Sequence, residues 1–281
     1  MNRSIRYMLV VVSVMMLTAP AIAAPPTPHI GTAVVVEGGD FIPCYTGCGG
    51  VSGVPSSNPA YEQTVVEMVN AVRADNALPP LKRVVALDDA ARYHSTDLAM
   101  DDYFSHDSYD RVGGVLTLVC SFMNRVSTYY TSWNSLSENI AAGYSTPAAA
   151  MAAWMDSDGH RANILRTTSW EIGVGYYQGG GYYYRYWTQD FGRRNGVYPI
   201  VINWEAATTD DYHVNLYIYG SGTWSEMRLR NNSDTWGAWR PFQSELAWEL
   251  PKATGEHTVW VEMRNGSLTT TSSDSIYSTW A

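Results

Sequence analysis

An α+β fold with an all-β second half is predicted by three features of this 281-residue chain. Helix-period and strongly helix-forming stretches occupy the region before residue 165, and two strand-like runs joined by a glycine turn follow them. From about Val197 the texture changes to short alternating runs separated by turn residues. Helices followed by paired strands suggest α/β/α layering around a central antiparallel sheet, and the last third suggests an all-β, immunoglobulin-like sandwich. The length allows two domains, and a composition 46% hydrophobic and 16% charged is that of a globular chain.

At the N-terminus, Arg3 and Arg6 precede the apolar run Met8–Leu17 and the small-x-small pattern Ala21-Ile22-Ala23. This order predicts a signal peptide over 1–23 and hence a secreted, extracellular product. The apolar run is shorter than the about 20 residues of a membrane-spanning helix, so no integral membrane segment is expected once the signal is removed. Residues 24–57, rich in Pro, Gly and Ser, are expected to be a linker, with Thr32–Val36 its one strand-like run. In an oxidising compartment Cys44 and Cys48 could close a small loop, or Cys120 could pair with either.

The first domain is expected over 58–196. From Tyr61, apolar Val65, Met68, Val69 and Val72 fall at helical spacing, with Glu67, Asn70 and Arg73 on the opposite, polar face. Leu78-Pro79-Pro80-Leu81 ends that helix. A second helix starts at Leu87-Asp88-Asp89, acidic residues suiting its N-terminal dipole, and carries His94 in its interior, read as structural. Residues 107–135 read as a long irregular stretch suited to substrate or partner contact. Thr146-Pro147 starts a helix through Ala148–Met155, which Asp156-Ser157-Asp158-Gly159 ends before His160. Ile172–Tyr177 and Tyr182–Phe191 then read as strands of a hairpin around Gly179-Gly180-Gly181.

The second domain is expected over 197–281. Tyr212, Val214, Leu216 and Ile218 alternate with polar or aromatic neighbours, as do Val259, Val261 and Met263. Seven of the eleven tryptophans lie here, which points to packing of a small sheet core or to an aromatic platform for sugars.

Four ordered motifs carry the chemistry: Tyr103-Phe104-Ser105-His106, Ser137-Glu138-Asn139-Ile140-Ala141, Trp154–Leu165 around His160, and Tyr186–Gly192. Over roughly 58–196 the chain resembles the superfamily of cysteine-rich secretory proteins, antigen 5 and plant pathogenesis-related proteins, in its bacterial SCP-like (CAP domain) form. The resemblance implies an α/β/α sandwich and makes His106, Glu138 and His160 the candidate catalytic cleft residues, with Ser157, Asn139 and Trp154 as candidate ligand-binding neighbours. The family's second cleft glutamate falls at Ser157, with Asp156 or Asp158 as candidate substitutes.

Two imidazoles and a carboxylate suit a divalent-metal site, a general acid/base pair or a satisfied polar network. Zinc is the cofactor such a donor set would admit; no metal ligands are assigned. Ser105 or Ser157 as nucleophile finds no support from a G-x-S-x-G or H-E-x-x-H signature. The expected function is a secreted protein binding an extracellular ligand, whether lipid, peptide or cell-surface component, in the His/Glu cleft. The alternative is a peptidase-like hydrolase using His106, Glu138 and His160. The net charge of −9 and the scattered Lys and Arg argue against a nucleic-acid partner.

Overall fold

The computed structural model describes residues 45–280; the expected signal peptide, the linker before Tyr45 and Cys44 lie outside them. Asn58 caps α1 (Pro59–Asp75) by accepting from the Tyr61 N–H, with Pro59 in the first turn. There follow β1 (Lys82–Arg83), α2 (Val85–Met100), β2 (Ser108–Val112), β3 (Val115–Cys120), α3 (Phe122–Tyr129) and β4 (Trp133–Ala142). Then come α4 (Pro147–Asp156), capped by Thr146 as its sequence predicts, α5 (Asp158–Ile164), β5 (Glu171–Gln178) and β6 (Arg185–Arg194). Among the described residues no helix is long and apolar enough to cross a membrane.

The central sheet runs β1-β5-β6-β4, with β1 parallel to β5 and the other pairs antiparallel. Helices cover both faces, so the mixed α+β expectation holds. On one face Val65, Val69, Met151 and Trp154 pack on Ile172, Val174, Trp187 and Phe191. On the other, α2 and α3 bring Leu87, Ala90, Val126 and Tyr130 against Leu136. Close approach of α2 to β5 depends on Gly173 and Gly175, where a Cβ would overlap the backbone of Leu87 and Ala91 respectively.

Three local readings differ from the structure. Residues 107–135 are ordered, not irregular: Gly113 and Gly114, at φ 58° and 85°, make the two-residue turn of a β2–β3 hairpin, and Ser121 caps α3. The polar face of α1 is only partly at the surface: Glu67 is exposed, but Asn70 and Arg73 are fully buried. Arg73 donates to the carbonyls of Pro79, Ile164 and Arg166, and Asn70 exchanges hydrogen bonds with Leu81. The third difference concerns residues 45–57, which are packed where composition suggests a linker. Tyr45 and Val54 bury against Tyr93, Asp89 accepts from the N–H groups of Gly53 and Val54, and a disulfide joins Cys48 to Cys120.

The remaining strands are β7 (Ile200–Ile202), β8 (Thr208–Thr209), β9 (His213–Ile218), β10 (Glu226–Asn231), β11 (Arg240–Pro241), β12 (Glu245–Glu249), β13 (Gly255–Asn265) and β14 (Leu268–Ser278). They form sheets ordered β11-β10-β13-β14-β8 and β12-β9-β7. Val214, Leu216 and Ile218 of one sheet share a core with Met227, Val259, Val261 and Met263 of the other. That core is aliphatic. Trp236, Trp239 and Trp260 instead lie under guanidinium groups: Arg264 is 4.0 Å from the Trp239 ring, and Arg230 is 4.7 Å from Trp236 and 5.5 Å from Trp260. The two halves meet where Asn70 donates to the Trp204 carbonyl, Tyr219 stacks on Trp170, and Lys82 pairs with both Glu205 and Asp274.

Candidate functional site

Strand pairing builds the centre of the site. In the antiparallel β4–β6 register Glu138 lies directly opposite Asp190, so two carboxylates share one face of the sheet. That face is the one covered by α2 and α3. From α3, Arg125, fully buried, donates one guanidinium nitrogen to Glu138 Oε2. Its other terminal nitrogen donates to the His106 carbonyl at 2.8 Å and to Ser108 Oγ at 3.0 Å. Just before β2, His106 Nδ1–H donates to Glu138 Oε1 at 2.7 Å. Both oxygens of Glu138 are therefore engaged by fixed donors.

His94 lies beside this network, its Nε2 3.9 Å from Glu138 Oε1. It donates from Nε2 to the Ser105 carbonyl at 2.9 Å. Burial, then the neighbouring Arg125, holds its pKa well below the usual imidazole range, so it is neutral. One turn further along α2, the buried Asp97 accepts from the Tyr103 hydroxyl, and burial pushes its pKa up to about 8.

The two facing carboxylates titrate in opposite directions. Burial disfavours the Glu138 anion, but Arg125, with a smaller contribution from the His106 hydrogen bond, outweighs it and holds the carboxyl far below its usual range. For Asp190, burial and then the Glu138 charge push the pKa well above its usual value, against a smaller opposing effect of Arg125. Neither Asp190 oxygen meets a donor group. A neutral Asp190 resolves this, its O–H donating to the Glu138 carboxylate. At neutral pH the centre is one buried ion pair with a protonated acid and a neutral imidazole beside it.

His160 approaches from the opposite layer. It is buried in α5, and its carbonyl accepts from Asn139 Nδ2 at 3.1 Å. Asn163 of the same helix donates to the Glu138 carbonyl and to Asn139 Oδ1, so α5 is fastened to the segment of β4 that carries Glu138. His106 and Glu138 are thus joined by a hydrogen bond, and His160 is attached to the same stretch through its backbone.

The proposed ligand-binding neighbours fare differently. Asn139 is fully buried and also donates to Gln189, while Trp154 lies in the core with its indole N–H on the Ile140 carbonyl. Neither presents surface to a ligand, and both brace β4. Ser157, half-buried, links α4 and α5. Asp156 and Asp158 are exposed, and Asp158 pairs with Arg161, so neither substitutes for the family's second glutamate. Asp190 supplies a buried carboxylate instead, from a motif, Tyr186–Gly192, whose signal is a lone acid among uncharged residues. Arg125 carried no signal beyond its charge.

As a zinc centre the expected trio fits poorly. A cation bound directly to Glu138 would displace either the His106 N–H or the Arg125 guanidinium, and the latter is a positive charge already in place. Glu138 fits the place of a carboxylate behind His106, orienting its ring. Among the described residues, the group of three side chains whose ligating atoms all lie within 4.8 Å of one another is Asp97, Asp101 and Asp110. Each is committed elsewhere: Asp97 to the Tyr103 hydroxyl, Asp101 to the Arg111 N–H, Asp110 to the Gly47 N–H.

Comparison with known proteins places these motifs. Residues 66–191 match the model of the CAP family, the cysteine-rich secretory protein family. The chain is 40% identical over 137 residues to the uncharacterized protein YkwD of Bacillus subtilis (strain 168), covering 49% of each chain. It is 29% identical over 133 residues to the uncharacterized membrane protein YlbC of the same organism, covering 47% of this chain and 34% of that one. The match thus spans about half the length of the first relative and a third of the second. Among solved structures, an extracellular protein containing a SCP domain from Bacillus anthracis str. Ames aligns at 30% identity and TM-score 0.41, covering 48% of this chain and 41% of that chain. An outer surface protein from Borrelia burgdorferi aligns at 20% identity and TM-score 0.40, covering 47% and 92% respectively.

Proposed function

Residues 66–191 belong to the cysteine-rich secretory protein (CAP) family, and from that premise we propose that this chain is a secreted protein that binds an extracellular ligand beside His106 without turning it over. The observation that carries this reading is the engagement of Glu138. One oxygen holds the His106 ring and the other a buried guanidinium, with the carboxyl far below its usual pKa. A general base works best with a pKa near the operating pH, and a carboxylate that is itself a metal ligand needs an oxygen free to bind the ion. Glu138 meets neither condition and acts as an anchor that sets the His106 ring.

Secretion is supported by the leader read in 1–23 and by the Cys48–Cys120 disulfide, a bond that persists in oxidising compartments. In this reading 58–196 is the ligand-binding domain, and 197–281 is an immunoglobulin-like sandwich, supported by the alternating burial of β9 and β13. The ligand is a lipid, a peptide or a component of the cell surface.

The experiment is incubation of the purified protein with mixed peptide and lipid libraries, followed by mass spectrometry of bound and released species. Retained, chemically unchanged ligand is expected, with retention reduced in His106→Ala. Cleavage products that disappear in His160→Ala would overturn the proposal in favour of a hydrolase.

A further inference from the structure

Among the described residues, β2 and β3 form a sheet of their own, paired with no third strand. A two-stranded sheet has two open edges, and native proteins protect such edges with charges or proline. The β2 edge has Asp110 and Arg111. The β3 edge has neither device. Val115-Leu116-Thr117-Leu118-Val119 is uncharged and proline-free, and Val115, Leu116 and Leu118 are 66%, 38% and 56% exposed.

That segment also reads the same in both directions about Thr117. Its hydrogen-bonding sense follows from the turn. Val112 and Val115 flank the two-residue Gly113-Gly114 loop and face each other, so they form a hydrogen-bonded pair, and such pairs alternate along an antiparallel ladder. Thr117, opposite Asp110, directs its N–H and C=O to β2. Leu116 and Leu118 direct theirs outward.

We infer that this edge is a self-recognition surface, β3 pairing antiparallel with β3 of a second copy about a two-fold axis at Thr117. In that register Leu116 of each copy faces Leu118 of the other, which yields about four main-chain hydrogen bonds from groups that otherwise face solvent. The two Thr117 residues form the narrow, non-hydrogen-bonded pair at the axis, with Cα atoms about 4.5 Å apart. By the pleat, the four leucines gather on one face and the valines on the other. The contact is isologous, as a two-fold requires.

The palindrome is what selects a second copy as occupant: every apolar residue meets an apolar one and no charge is buried. A bilayer would accept the leucines but leave the outward N–H and C=O groups without partners. The chain's net charge of −9 further disfavours anionic lipid.

Sedimentation velocity on the full chain between about 1 and 100 µM tests this, a range that spans weak to moderate self-affinity. A species of twice the monomer mass is expected to grow with concentration. Thr117→Lys, on an exposed side chain, sets two ammonium groups against each other at the axis and should weaken dimerisation at least about tenfold while circular dichroism stays unchanged. Under mild oxidation Thr117→Cys should form a disulfide-linked dimer, whereas Leu268→Cys, 68% exposed on β14, should not. A monomer at every concentration overturns the inference. So does a dimer indifferent to Thr117→Lys, or a monomer that co-sediments with phosphatidylcholine vesicles.

Discussion

Replacing Arg125 with Met should destabilise the first half of the chain, and more at neutral than at acid pH. The fully buried guanidinium holds Glu138 Oε2, the His106 carbonyl and Ser108 Oγ, and methionine fills a similar volume with none of those donors. Removing one partner of a buried ion pair costs about 3–5 kcal/mol, because the remaining charge stays in a dry site. Set against a typical total of about 5–15 kcal/mol, the variant should fold with much of its margin gone.

The pH dependence identifies the cause. In the wild type the folded-state pKa of Glu138 lies below its ordinary value of 4.5, so this group's contribution is complete above that pH and is lost as the pH falls through the folded value. Without Arg125, burial dominates and the folded pKa rises above the unfolded one. Glu138 then contributes most when protonated, and stability falls as the pH rises. The difference between wild type and variant should therefore be largest near pH 7 and shrink towards pH 4.5. Urea unfolding at both pH values, followed by tryptophan fluorescence, measures it. Adding Glu138→Gln to the variant should recover part of the loss, since no buried charge is then left unpaired. A loss under about 1 kcal/mol at pH 7, below the usual range for a broken buried pair, would refute the reasoning, as would a loss that grows on acidification.

Two further outcomes are expected. Asp97, with its pKa pushed up to about 8 by burial, keeps in the folded state a proton that the unfolded chain has lost above its ordinary value of 3.8. Its contribution is complete below pH 3.8 and is lost as the pH rises through about 8, so Asp97→Asn should flatten the fall in Tm between those two pH values; an unchanged slope would remove Asp97 as its source. Gly175→Ala drives a methyl group into the Ala91 carbonyl, where backbone and not a side chain would have to yield. Overpacking of this kind costs about 1–3 kcal/mol or more, a Tm loss of up to about 10 °C for a domain of this size, and an unaltered melting curve would mean that α2 does not rest on β5 as described.

What could be read from the sequence was set by local chemistry. Thr146-Pro147 marked the start of α4, and the glycine run after Gln178 marked the β5–β6 hairpin, because a cap and a turn depend on a few neighbouring residues. The same logic applied to 107–135, where Gly113-Gly114 between valines is a hairpin signal and Ser121 a helix cap. Neither signal names the partner that the hairpin or the helix packs against, so both are easily lost in a stretch of this length. Asn70 and Arg73 are a different case. Their burial follows from the Leu78–Leu81 segment and α5 folding back over α1, and helical periodicity contains nothing of that. His106 and Glu138 were found by motif, and the hydrogen bond between them is consistent with that reading, whereas Arg125 reaches the centre only because α3 packs on α2.

The second carboxylate concerns mechanism more directly. The family pattern seeks it on a helix, at Ser157, but β4–β6 pairing sets Asp190 opposite Glu138. Two like charges cannot both persist at that spacing in a dry site, so one carboxyl must hold a proton, and Arg125 decides which by sitting on Glu138. A pair split in this way is what acid/base enzymes use. Here both members are shut in: Asp190 is fully buried and Glu138 is 4% exposed, while His106, at 6%, is little more open. Neither carboxyl opens to solvent, and Glu138 acts on the His106 ring, whose orientation it fixes at Nδ1. The split pair on this sheet holds an imidazole in place, and the proton that keeps Asp190 neutral is part of the fold.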